Sequence, residues 1–397
     1  SLVQWLGGHN AKRNDDVAAF LSHLDEFDLN EYTKAIRFDD MKVPTVPFQL
    51  PLSKTYYGLE EMKSGELDFL KATALGKSDA PVFLCSDMPM DDMAKDRDFT
   101  KKYMFGLAVL LKKGLHLNVV HNLDRPFHEL MLGLEGWIPL YMTGQITPCY
   151  LKGVQNNVYC HFLNVSGSAA LSGECIAGAH ERGRYELTKG GEALRYYQER
   201  ADAIREKAFP LMDIYREKQA AAFHAFQLAD AQKPGPRRRV LSAPPLGTLR
   251  EETLRAILSS HGLPAAEQQH LLEHASAQRT HMEQILAHSS ITDSFPTLTR
   301  EEFARCTPAL PLSTLFFPKD IRYTYEEYCF HMEQTNEYAR AHPGYSLRPC
   351  DTDFHNISIS VHEGRWAMIS KSNAPAIHFI IRYFKLRSAI ETFAGET

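Results

Sequence analysis

His121, Asn122, Asp124 and Arg125 follow directly on an apolar run, Leu115–Val120. They precede a stretch in which Phe127, Leu130, Met131, Leu134, Trp137 and Ile138 recur at spacings of three and four. That order describes a strand that delivers polar side chains at its carboxyl end, then a helix that packs back over it. In open α/β sheets, ligands bind along that edge. An imidazole, a carboxamide and a guanidinium beside a helix N-terminus suit a carboxylate or phosphate, so a small anionic ligand is the expected partner. Asp124 reads first as the helix N-cap, with Pro126 in the first turn. Ser86 ends a second apolar run, Pro81–Ser86, and should share the same edge. Tyr141, Thr143 and Gln145, beyond the helix, are expected to line a wall of the pocket with hydrogen-bonding groups. Ser166 and Glu174, at the two ends of a Gly/Ser-rich stretch, complete the candidate ligand-binding set.

Other groupings of reactive residue types lead back to structural roles. Asp87, Asp91, Asp92 and Asp96 lack the alternate spacing and central Gly of a calcium loop, and read as a capped, solvated loop with Met88, Met90 and Met93 packed beneath it. The stretch 166–175 has no Gly-Lys-Ser/Thr and no GxSxG, so it is neither a P-loop nor a nucleophile elbow. His270 and His274 stand four apart but lack the Glu of HExxH. No cysteine sits beside a His as a nucleophile would. No catalytic residue, cofactor or metal is therefore expected.

These groups need elements to hold them. The pattern gives a helix over 14–36, a Pro-rich extended connector over 43–53, a helix over 58–76, a strand over 81–86, a helix over 98–113, a strand over 115–121 and a helix over 125–141. Alternation of strand and helix argues an α/β fold: a mixed, mostly parallel sheet flanked by helices, with strands 81–86 and 115–121 adjacent and parallel. After Gly144 come strands without intervening helices (149–151, 158–165, 169–176), then a long helical stretch over 191–227. Residues 230–247 carry Pro, Gly and the triplet Arg237–Arg239 and read as a solvated linker, followed by amphipathic helices over 249–261 and 264–288. The end reads as a small α+β domain with an antiparallel sheet. The resulting division is 1–42, an N-terminal helical connector; 43–227, an α/β sensor-like domain; 228–300, linker and helical segment; and 301–397, the α+β domain. No internal repeat is visible.

A net charge of −5 over 397 residues sets the chain apart from nucleic-acid-binding domains, which are usually basic. Seven scattered cysteines without a CxxC pair, and no signal peptide, read as reduced thiols of a cytoplasmic protein. No apolar run is long enough to span a bilayer. The chain begins Ser-Leu-Val-Gln-Trp without Met, as a fragment would.

The stretches FDLNEYTKAIRFDDMKVPTVPFQLP, YYGLEEMKSGELDFLKA, SDMPMDDMAKD, LLKKGLHLNVVHNLDRPFHELMLGLEGWIPLYMTGQI and NVSGSAALSGECI together resemble a family of bacterial helix-turn-helix transcriptional regulators, in their large region beyond the DNA-binding domain. The terminal stretch HNISISVHEGRWAMISKSNAPAIHFIIRYFKLRSAIETF resembles the end of the same family. The resemblance covers most of the chain outside 228–300. It implies a regulator whose helix-turn-helix is missing here, with DNA contacted only through that missing N-terminal domain. More distantly, the β-α-β-α layout resembles sensor domains related to phospholipase D. That signature needs a His with a Lys two residues on, and His121 is followed by Asn122 and Leu123, so the resemblance implies a catalytically dead relative.

The expected function is thus a ligand-sensing or effector region of a cytoplasmic transcription regulator, not an enzyme, dimeric and without membrane contact. Two alternatives stay open: a phosphodiesterase-like hydrolase using His121 and His161, and a non-catalytic interaction or dimerisation scaffold.

Overall fold

In the computed structural model, the described residues are 2–28, 31, 51–88, 96–123, 126–153, 158–348, 350 and 354–396. Asp91, Asp92, Met90, Met93, Asp124, Arg125 and nearly all of the Pro-rich connector lie outside them. The chain divides into two units: Phe27–Met212, and Ser1–Glu26 together with Asp213–Thr397.

The first of these is built on the two apolar runs. β1 (Ser53–Tyr57) leads into α2 (Gly58–Leu75), β2 (Val82–Ser86), α3 (Arg97–Lys112), β3 (Leu117–His121), α4 (Phe127–Tyr141) and β4 (Ile146–Tyr150). β5 (Tyr159–Val165), β6 (Ala170–Ile176) and β7 (Arg184–Thr188) follow, then α5 (Gly191–Lys207) and the short β8 (Phe209–Pro210). The sheet order is β1-β7-β6-β5-β2-β3-β4-β8. β2 and β3 pair in parallel, Val82 opposite Leu117, as the apolar runs predict. β3 and β4 are also parallel, while β5, β6, β7 and β1 join antiparallel. The sheet is thus mixed, with its parallel pairs confined to the centre, rather than mostly parallel. α5 covers one face, where Leu194 and Ala201 meet Phe83, Leu163 and Val165. α2 and α3 pack against one another closely: a Cβ on Gly106 would stand 2.7 Å from Leu70 Cδ1.

The helix expected over 191–227 is broken. α5 stops at Lys207, and Phe209–Pro210 pairs with β4. Proline lacks the helical N–H and pushes its predecessor into extended geometry. This unit therefore ends at Met212, not 227.

The second unit contains α1 (Leu2–Glu26), β9 (Met212–Tyr215), α6 (Ala220–Ala231), β10 (Arg237–Val240), α7 (Glu251–Ser260), α8 (Ala265–Leu286), β11 (Ile291–Ser294), α9 (Arg300–Arg305) and α10 (Tyr325–Ala341). It closes with β12 (Tyr345–Arg348), β13 (Ile357–His362), β14 (Trp366–Lys371), β15 (Ile377–Ile381) and α11 (Phe384–Glu396). The sheet order is β12-β11-β10-β13-β14-β15-β9. Numbered from each unit's own first strand, this is 4-3-2-5-6-7-1, the order also found from β4 to β1 in the other unit. The chain therefore carries one topology twice, a repeat that residue patterns alone do not reveal.

Two expectations fail here. Residues 230–247 are not a solvated linker: β10 is a central strand, parallel to β11 and antiparallel to β13, while the two helices expected after it are present as α7 and α8. The arginine triplet is tolerated because its charges are met. Arg237 pairs with Asp230 at 2.9 Å, Arg238 with Glu363, and Arg239 with Asp293 at 2.6 Å. Likewise residues 2–26 are not a connector. The Asp25 carboxylate accepts the backbone N–H groups of His355, Asn356 and Ile357, and Lys371 Nζ donates to the carbonyls of Leu24 and Asp25 at 2.8 Å. The small domain read from residue 301 onward thus belongs to a larger unit with a mixed sheet. Among the described residues no helix is long and apolar enough to cross a membrane.

Candidate functional site

β2 and β3 are mostly apolar, as strands covered by helices on both faces of a sheet tend to be. Their register places Ser86 beside His121 at the shared carboxyl edge. In β3, Leu117, Val119 and Val120 are buried and Asn118 is half-buried, and a polar run begins at His121. α4 then returns over the edge. Trp137 and Tyr141, one helical turn apart, stack at 6.1 Å and present their rings to His121. Tyr141 Oη lies 2.7 Å from His121 Nε2. Burial pushes the Tyr141 phenol well above its ordinary pKa, so it stays protonated. With the phenol as donor, Nε2 accepts and the imidazole proton sits on Nδ1.

Ser86, His121 and Asn122 stand between two cavities. The first, about 390 Å³, is mostly apolar, with Met88, Phe99 and Trp137 among its walls. It also contains a side chain that the sequence reading passed over. Glu66 is 3% exposed, and its Oε2 has no hydrogen-bond partner among the described residues. Burial pushes its carboxyl up to about 8. The signal was in the sequence: Met62, Glu66, Phe69, Leu70 and Thr73 recur at helical spacing, so Glu66 sits in the apolar stripe of α2. The second cavity, about 370 Å³, is more polar and adds Asp87, His161, Glu174 and Arg200. There Asp87 accepts the backbone N–H of His161, and Glu174 lies directly across the β5–β6 ladder from His161.

Of the expected set, the structure brings together Ser86, His121, Asn122 and Glu174, with Tyr141 buried behind His121. Arg125 lies outside the described residues. Thr143, Gln145 and Ser166 are elsewhere. α4 carries the chain from the carboxyl edge of β3 to the amino edge of β4, so Thr143 and Gln145 come out at the opposite end of the sheet. Gln145 Nε2 donates there to the carbonyls of Leu111 and Leu115, and the Thr143 hydroxyl to the Leu140 carbonyl. β5 runs antiparallel to β2, so Ser166 also leaves at the far edge, where its Oγ accepts the N–H groups of Ser168 and Ala169 and the Thr73 hydroxyl. It closes a tight turn. Asp96 N-caps α3 through the Phe99 N–H, as a capped loop requires. His274, of the pair four residues apart, is buried and bonded to the Thr314 hydroxyl.

No protein-family model matches the chain, and no curated protein matches it. Among solved structures it is similar to TrmBL2, an archaeal chromatin protein with a novel mode of DNA binding, at 10% identity and a TM-score of 0.29, over 52% of this chain and 68% of that one. It is also similar to a polyphosphate kinase from Porphyromonas gingivalis, at 10% identity and a TM-score of 0.24, over 86% of this chain and 49% of that one.

Proposed function

We propose that residues 27–212 form a non-catalytic sensor domain whose ligand enters the cavity beside His121, and that the chain is the effector part of a transcriptional regulator. The regulator half of the reading rests on the sequence resemblance alone. The sensor half rests on one observation: a mostly apolar cavity of about 390 Å³ holds a buried carboxyl, Glu66, whose Oε2 lacks a partner among the described residues. An unmet buried polar atom costs about 1–3 kcal/mol, which a ligand group placed against it returns as affinity. The anionic ligand expected from the sequence rested on His121 and Asn122 together with Arg125, which lies outside the described residues. Glu66, protonated at neutral pH, can donate as well as accept, which favours an apolar body with a paired donor and acceptor such as an amide. The engagement of His121 Nε2 by Tyr141 weighs against a nucleophilic histidine.

A thermal-shift screen of aromatic amines, amides and carboxylates tests this. Donor-bearing apolar compounds should raise the melting temperature of the wild type and fail to do so in Glu66→Leu, which keeps the cavity lined and folded. Equal shifts in both proteins, or a response to carboxylates alone, would defeat this ligand assignment. Turnover of a generic phosphodiester that is lost in His121→Ala would replace the sensor with the hydrolase.

A further inference from the structure

Cys160 and Cys175 face one another directly across the β5–β6 ladder. His180 follows on a short 3₁₀ turn, His180–Arg182. All three are buried, and their two sulfurs and one ring nitrogen lie within 4.8 Å of one another. Met88 Sδ stands 3.5 Å from Cys175 Sγ. We propose that Cys160, Cys175 and His180 form a metal site for a zinc-type ion, with the Met88 thioether or a water molecule at the fourth position. Neither the ligand pocket nor the sequence resemblance contributes to this assignment.

Three arguments carry it. The donor set is soft to borderline, two sulfurs and an imidazole, which is the chemistry of tetrahedral zinc. The charge balances: two thiolates, a neutral imidazole and a divalent ion sum to zero, and a buried site tolerates that far better than a net charge. The geometry is close. A tetrahedral ion with bonds of roughly 2.0–2.3 Å holds its ligands roughly 3.3–3.8 Å apart. From a spread of 4.8 Å the cluster needs to contract by up to roughly 1.0–1.5 Å, within reach of side-chain rotation and of movement of the turn that carries His180. As the ion binds, each thiol gives its proton to the buffer and each sulfur forms one bond to the metal. Met88 also lines the cavity that holds Glu66, so the ion would sit directly behind that cavity's wall.

The test uses the whole chain, reduced and freed of metal by a chelator. Co²⁺ is added first, then Zn²⁺ against a chromophoric competitor. One equivalent of Co²⁺ should produce thiolate-to-metal charge-transfer bands in the near ultraviolet and intense tetrahedral bands in the visible. Zn²⁺ should displace it. Cys175→Ser and His180→Gln should weaken binding by roughly 100-fold or more, whereas Cys329→Ser, at an exposed position, should not. Because buried substitutions can unfold a protein, the wild-type spectrum decides first. Absence of charge-transfer bands in folded, reduced wild type overturns the site. So does Co²⁺ binding that is unaltered in a Cys175→Ser protein of native circular dichroism. Recovery of a Cys160–Cys175 disulfide peptide from unreduced protein, with no metal bound after reduction, would assign the pair to redox chemistry instead.

Discussion

The two units share a strand order and differ in how they treat a buried carboxyl. In the unit that ends the chain, the buried carboxylates are fully met. Asp230 receives Trp366 Nε1 at 2.8 Å, His362 Nδ1 at 2.9 Å and Arg237 Nη2 at 2.9 Å. Asp293 receives the fork of Arg239 twice at 2.6 Å and the Tyr345 hydroxyl at 2.6 Å. Thr248, His331 and Tyr323 form a third network. In unit 27–212, Glu66 has an oxygen with no such partner among the described residues, and a cavity lies before it. One scaffold thus serves two ends. Fully met carboxylates tie a core together, and in the other unit a carboxyl oxygen faces a cavity without a partner among the described residues.

The largest effect should come from breaking a saturated network. Asp230→Ala strands Arg237, His362 and the Trp366 N–H in the interior and should lower unfolding free energy by about 3–5 kcal/mol, read by urea denaturation. Burial raises the Asp230 pKa, but its bonds to Trp366, His362 and Arg237 outweigh that and hold it below the ordinary value. Its contribution is therefore present above the unfolded carboxylate pKa and disappears as pH falls through the lower folded one.

Glu66 should behave in the opposite sense. Its folded pKa is raised from 4.5 to about 8, so the folded state holds a proton that the unfolded chain releases. Stability should decline as pH rises from about 4.5 to 8 and then level off. Glu66→Gln should flatten that decline and be the more stable protein at pH 9. An unchanged pH profile would show that Glu66 is partnered in solution, and the contrast between the units would dissolve.

Tyr141→Phe should cost about 0.5–1.5 kcal/mol, the loss of one hydrogen bond, read by urea denaturation. Glu174→Gln, at the exposed rim of the second cavity, should change stability by no more than about 0.5 kcal/mol. A larger loss would place Glu174 in a structural pair rather than at a ligand's edge.

What the sequence disclosed follows the range of the interactions involved. β2 and β3, and their parallel pairing, were legible because a largely covered strand is mostly apolar. The edge holding Ser86, His121 and Asn122 was legible for the same reason. Thr143 and Gln145 were misplaced although the information was present: a helix of 15 residues, α4, is roughly 22 Å long and crosses the sheet to its other edge. β10 was hidden because Arg237, Arg238 and Arg239 find their carboxylates at positions 230, 363 and 293, and no local pattern announces a partner so distant. The Cys160–Cys175 juxtaposition depended on the β5–β6 register, which spacing alone does not set.

The clasp between Asp25 and the backbone at 355–357 has a consequence for the order of folding. The two sides are separated by 330 residues. At translation rates of about 5–20 residues/s, the first helix waits on the order of 15–70 s on the ribosome before its binding partner exists. During that interval residues 27–212 have emerged whole and are free to fold. The chain's first segment is thus among the last to find its place, and a chaperone or protease that meets the nascent protein meets α1 with its apolar stripe of Val17, Phe20, Leu21 and Leu24 still uncovered.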